Sequence, residues 1–185
     1  AQDPPRQRVV TLAEAEESAI AHHRIFDLAR IFIDHEIVDR AEPVADGGRR
    51  ERHLAQRVLS LDCDFLSPAF PGHLRYSREF ISGRRITETN KEMNRLYVVE
   101  TTPTNTGATA DHTWAVKPSE FENIARTIAG SGGGANLPWI GPLIADLQQH
   151  RGASIVLAGD NQPPIIHALA HSMNNALGNV GKTVF

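Results

Sequence analysis

The sequence predicts an α/β domain built on a mainly parallel sheet, and two observations carry that reading. Short apolar runs of strand length, Arg57 to Asp62, Leu96 to Glu100 and Ala153 to Ala158, are separated by stretches whose apolar residues recur at helical spacing. That alternation implies short right-handed crossovers between parallel strands. The chain also has 185 residues, 41% of them hydrophobic, enough for one compact domain or a domain with an added lobe.

Taken in order, Thr11 and Glu14 form a capping box that starts a helix reaching about Ile33, with Leu12, Ala15, Ala19, Phe26 and Ile33 on its apolar face. His22, His23 and His35 read as polar residues beside that face. Residues 46–57, "DGGRRERHLAQR", read as a surface loop, with a basic phosphate patch as the alternative. The chain therefore divides into an N-terminal helical segment and loop, residues 1–56, and the α/β domain proper, residues 57–185. In the latter, strand "RVLSLD" leads through a Pro-rich bend at Pro68 and Pro71 into a helix from about Gly72 to Ser82 carrying Leu74, Tyr76, Phe80 and Ile81. Leu96 to Glu100 is the second strand and Trp114 to Lys117 a weaker third. Pro118 and Ser119 open a helix with Phe121, Ile124 and Ile128 on one side, ended by the glycine tract Gly130 to Asn136. A short helix around Pro142 to His150 stops at Gly152, and the strand "ASIVLA" follows. The last helix, about Pro163 to Leu177, takes proline at its first turn, buries Ile166, Leu169, Met173 and Leu177, and ends at Gly178.

Composition excludes several functions. With 19 basic against 22 acidic residues and a net charge of -3, no field exists to attract a phosphate backbone, so no nucleic-acid partner is expected. The apolar runs fall far short of the roughly 20 residues that span a bilayer, so direct membrane insertion is not expected either. One cysteine, Cys63, permits no internal disulfide and no four-thiolate iron–sulfur cluster. It reads as a small apolar residue at a strand end.

Ligands of parallel sheets sit beyond the carboxyl ends of the strands, at the switch point. Asp62, Glu100 and Asp160 stand at those ends. A carboxylate there can accept two hydrogen bonds from ribose hydroxyls or a guanine edge; it can equally cap a helix or close a turn. The glycine tract follows a helix and lacks the lysine of a Walker loop, so it reads as a connector. His167 and His171 share a helix face at i, i+4, but Ala168 occupies the place where a zincin carries glutamate, so they read as a solvated or inter-domain face. No G-x-S-x-G elbow supports hydrolase chemistry. Neither a catalytic residue nor a metal ligand is expected.

From Arg95 to Glu120 the chain resembles the Rossmann-like middle region of the molybdopterin oxidoreductase family, whose pattern there is I-D-P-R-x-T-x-T-A, then A-D, then P-G-T-D. Glu100 takes the strand-end acid, Thr104 and Thr106 the two threonines, Ala110 and Asp111 the Ala-Asp pair, and Pro118 the proline. Asp62 stands for the Asn of the family's G-x-N-P turn, Thr102 for the Arg, and Ser119, Glu120 and Phe121 for G-T-D. The phrases "LSLDCDFL", "HLRYSREF", "EMNRLYVVETTPTNTGATADH" and "QPPIIHALAHSMNNALGNVGKTVF" resemble more closely the molybdopterin-oxidoreductase-like domain of the iron–sulfur subunit of alternative complex III.

The resemblance implies a Rossmann-like three-layer domain, a fragment of a longer protein, with no catalysis and no cofactor of its own. It implies iron–sulfur clusters in the rest of the subunit, partners among the other domains of the polypeptide and the subunits of a membrane-associated quinol-oxidising respiratory complex, and a location on the periplasmic side of a bacterial membrane. The alternative is a fragment of an active molybdenum oxidoreductase, holding the guanosine end of molybdopterin guanine dinucleotide through Asp62, Glu100 and Asp160.

Overall fold

The computed structural model describes residues 55–88 and 91–184, so the expected helix from Thr11, its histidines and most of the Gly- and Arg-rich loop lie outside the described residues. Four strands, β1 (Arg57–Leu61), β2 (Arg95–Glu100), β3 (His112–Ala115) and β4 (Ser154–Ala158), form one sheet in the order β3-β2-β1-β4, every pair parallel. Five helices accompany them among the described residues: α1 (His73–Gly83), α2 (Asn105–Thr109), α3 (Pro118–Ile128), α4 (Ile140–Gln149) and α5 (Pro164–Ala176). This is a Rossmann-like α/β fold.

The central position of β1 explains its sequence. All five of its residues are buried, because β2 flanks it on one edge, β4 on the other, and packed side chains cover both faces. Leu59 and Leu61 join Tyr97, Val99 and Val156 on the face covered by Phe121, Ile124 and Ile128 of α3, Leu143 and Leu147 of α4, and Ile166, Leu169 and Met173 of α5. Val58, Leu96 and Val98 point the other way, onto Phe80 of α1, Cys63 and Phe65. The period of two along each strand thus sorts the core into two unequal halves.

Chain direction fixes the ligand end. From β1 the sheet grows outward through β2 to β3, then the chain returns past both to lay β4 on the far side of β1. The helices change face with that reversal, as the constant hand of parallel crossovers requires. The crevice between the carboxyl ends of β1 and β4 is the topological switch point.

Local chemistry accounts for most boundaries. Prolines open α3 and α5 at their first turns, as the sequence predicts. Gly152 and Gly178, with φ of 73° and 66°, adopt the left-handed conformation that closes a helix. Asn174 near the end of α5 and Asn179 just beyond it are buried and serve β4: Asn174 accepts from the Val156 amide (2.9 Å) and donates to its carbonyl (2.8 Å), and Asn179 Oδ1 accepts from Ser154 Oγ (3.1 Å). Asn174 thereby satisfies the Val156 backbone groups on the outer edge of β4.

Two elements differ from expectation. β3 runs His112–Ala115 rather than Trp114 to Lys117, because its register is set by pairing with Tyr97 through Glu100, and Lys117 belongs to the entry of α3. Its edge is further fixed by Tyr97, His112 and Trp114 lying ring over ring, with Trp139 stacked on Trp114 at 4.1 Å. Helix α2 lies in the threonine-rich stretch after β2, where the sequence reading placed no helix.

Candidate functional site

At the switch point the loops after β1, β2 and β4 enclose an open cleft of about 470 Å3. Two of the three strand-end acids, Asp62 and Asp160, line it. Glu100 does not, being buried and turned toward α2.

Asp62 closes the cleft floor. Its backbone takes the left-handed conformation, φ 58°, which aspartate tolerates better than most residues. That turn aims the carboxylate sideways: Oδ1 accepts from the Thr101 amide (3.0 Å), while Oδ2 accepts from Thr101 Oγ1 (2.7 Å) and Gln162 Nε2 (2.7 Å). One side chain therefore ties the β2 loop to the β4 loop. Gly159 completes the closure, since its amide donates to the Leu61 carbonyl (2.9 Å) and any Cβ there would collide with the Asp62 carbonyl.

Glu100 and Asp64 act on α2. Glu100 Oε2 accepts from both the amide (3.1 Å) and the hydroxyl (2.8 Å) of Thr104, which in turn caps the helix by accepting from the Gly107 amide (2.9 Å). Gly107 is required here: a Cβ would strike both carboxylate oxygens of Glu100. Asp64 Oδ1 accepts from the amide (2.9 Å) and hydroxyl (2.7 Å) of the fully buried Thr106, whose oxygen also accepts from the Leu66 amide (3.1 Å). The Thr104 and Thr106 amides around the start of α2 thus carry the protein's own carboxylates and the Gly107 amide the Thr104 hydroxyl, in the position an anionic ligand would need.

Asp160 is exposed at the mouth of the cleft. Beneath it, Cys63 is buried and its thiol is pushed up to about 12, first by burial and then by the charges of Asp160, Asp64 and Asp62. A thiol so placed is protonated and inert, as its reading as a small apolar residue implies. Burial also holds the His167 imidazole below its usual range, against the Gln162 backbone and Asp160, which act to raise it. His167 is half-buried and His171 exposed on α5, and no group of three metal-ligating side chains occurs among the described residues.

A phosphate-bearing ligand fits this cleft poorly. Asp62, Asp64 and Asp160 line it, and no lysine, arginine or histidine does. Pro163 and Pro164, at the start of α5, have no amide hydrogen to offer an anion. Bringing phosphates against carboxylates without a compensating cation is unfavourable. Sequence reasoning missed Asp64, Thr101 and Gln162, whose roles depend on loops that meet only in the folded chain. A scan against protein-family models and a search of curated proteins match nothing to this chain.

Proposed function

We propose that this is a non-catalytic Rossmann-like domain of a molybdopterin-oxidoreductase-like iron–sulfur subunit, closest to that of alternative complex III, in a quinol-oxidising respiratory complex on the periplasmic side of a bacterial membrane. Its role is to support and dock the cluster-bearing part of the polypeptide. The observation that carries this reading is the occupation of the ligand end by the domain's own acids: Asp62 bridges two loops, Glu100 holds the amide of Thr104, which caps α2, and Asp64 holds the amide of Thr106 in its first turn. The domain keeps the frame of a dinucleotide site while its donors are bound internally. Among the described residues no helix is long and apolar enough to cross a membrane.

The second reading, a fragment of an active molybdenum enzyme, draws on one feature, the open cleft of about 470 Å3 at the switch point. Under it Asp62 and Asp160 would take the guanosine hydroxyls and guanine edge, with Glu100 holding α2 behind them. Calorimetric titration of the chain with GDP and GMP separates the two. The silent domain gives no saturable heat at millimolar nucleotide. Saturable binding that Asp160→Ala weakens tenfold or more supports the molybdenum enzyme instead, because the ligand's donors lose their acceptor.

A further inference from the structure

Both tryptophans of the chain and one of its two tyrosines meet at the β3 edge of the sheet. Tyr97 and Trp114 project from the same face, because β2 and β3 pair Tyr97 with His112 and Val99 with Trp114, two residues further along. Trp139, just before α4, lies flat on Trp114 with ring centroids 4.1 Å apart, and Trp114 stands 6.0 Å from Tyr97 with the rings within 5° of parallel. His112 fills the corner, 5.2 Å from Tyr97 and 5.9 Å from Trp114. Burial rises along this path, from the half-buried tryptophans to Tyr97, which is 5% exposed. At its inner end the Tyr97 hydroxyl donates to Asp146 Oδ2 at 2.5 Å, and Arg95 Nη1 donates to the same phenol oxygen at 3.3 Å.

Packing accounts for large rings on this face. It does not account for the two most oxidisable aromatic types in unbroken contact, ending at a hydroxyl held by a carboxylate. Touching rings exchange electrons readily, and a phenol gives up an electron far more easily when a base takes its proton. We infer that Trp139, Trp114 and Tyr97 form a relay for one-electron oxidising equivalents, with its proton-coupled terminus at Asp146. A high-potential one-electron oxidant, such as a metal complex or an oxygen-centred radical, takes an electron from Trp139. One electron from Trp114 refills Trp139, and one from Tyr97 refills Trp114. The Tyr97 O–H bond breaks in that last step: its proton passes to the Asp146 carboxylate and the neutral phenoxyl radical remains. The oxidant has gained one electron and both indoles are restored. Tyr76, the chain's other tyrosine, packs with Phe70 on the opposite face of the sheet and serves as the internal control.

Flash-quench oxidation of the full chain by photogenerated ruthenium(III) tris(bipyridine) tests the relay, read by transient absorption and by electron paramagnetic resonance of frozen samples. A tryptophan radical should decay at the rate at which a tyrosyl radical appears, and more slowly in deuterated water because a proton moves with the electron. Tyr97→Phe should abolish the tyrosyl signal and leave a long-lived tryptophan radical, whereas Tyr76→Phe should change neither. Trp114→Phe keeps a ring in the gap but not an oxidisable one, so the tyrosyl signal should disappear while the radical on Trp139 persists. A tyrosyl radical at full yield in Trp114→Phe, or one lost in Tyr76→Phe rather than Tyr97→Phe, overturns the inference. In the wild type alone, absence of a tyrosyl radical, or a rate indifferent to deuterated water, overturns it as well.

Discussion

The two ends of the sheet treat carboxylates in opposite ways. At the amino end, Asp146 of α4 reaches beneath the strands, where its Oδ2 accepts from Arg57 Nε at 2.7 Å, Tyr97 Oη at 2.5 Å and Arg95 Nη1 at 3.2 Å. Burial acts to raise its pKa, but the Tyr97 hydroxyl and the two guanidinium groups overcome that and hold it below the usual carboxylate range. At the carboxyl end, Asp62, Asp64 and Glu100 are held by threonine hydroxyls, a glutamine amide and backbone amides, all of them neutral. One end joins the strands and α4 with opposite charges. The other satisfies its acids with hydrogen bonds and keeps their negative charge, which is why its cleft suits an anion so poorly.

Breaking the amino end has the largest expected effect. Asp146→Ala leaves Arg57, whose side chain is only 8% exposed, without its counter-charge, and unfolding in urea should record a loss of about 3–5 kcal/mol. At the carboxyl end Gly107→Ala forces a methyl group against Glu100 and should cost about 1–3 kcal/mol. Removing the obstruction sharpens the comparison, because Gly107→Ala/Glu100→Ala should lose less than the sum of the single changes, with a coupling of about 1 kcal/mol. Asp62→Ala gives up three hydrogen bonds and places alanine at positive φ, for a loss of about 1–2 kcal/mol, and Asp62→Asn should lose less because asparagine tolerates that conformation.

The smallest effect is pH dependence. Asp146 has its folded pKa depressed, and so has Asp111, where burial is outweighed by the Arg84 guanidinium and the Leu96 amide. Both therefore contribute stability that is complete above the unfolded carboxylate pKa of about 4 and is lost as pH falls through the folded values. His167, also depressed, works in the same direction from about pH 6.5 downward, since the unfolded chain binds its proton first. Urea midpoints should fall on acidification, and the step below about pH 4 should shrink in Asp146→Ala.

Much of the frame was legible because it rests on periodicity. The buried stripes of α3 and α5 follow the 3.6-residue spacing, and Phe121, Ile124, Ile128, Ile166, Leu169 and Met173 all lie in the core. α2 escaped notice because five residues are too few to show a period and its threonines favour turns. β3 was misplaced because it is an exposed edge strand, of which only Trp114 is even half-buried, so its limits come from pairing rather than hydrophobicity. Within the site, the strand-end position of Asp62, Glu100 and Asp160 was readable, but their different surroundings were not. Whether a strand-end acid faces a cleft, a loop or a helix start depends on contacts such as Asp62 with Gln162, a hundred residues apart in sequence.

The central claim is that the amides around the start of α2 are already taken from within the chain, Thr104 by Glu100, Thr106 by Asp64 and Gly107 by the Thr104 hydroxyl. Amide chemical shifts of the full chain, followed by NMR while pyrophosphate is added to millimolar concentration, test it directly. Unmoved signals for Thr104, Thr106 and Gly107 are the predicted result. Saturable shifts at these residues would contradict it, because the ligand would then have displaced Glu100 and Asp64 from the start of α2.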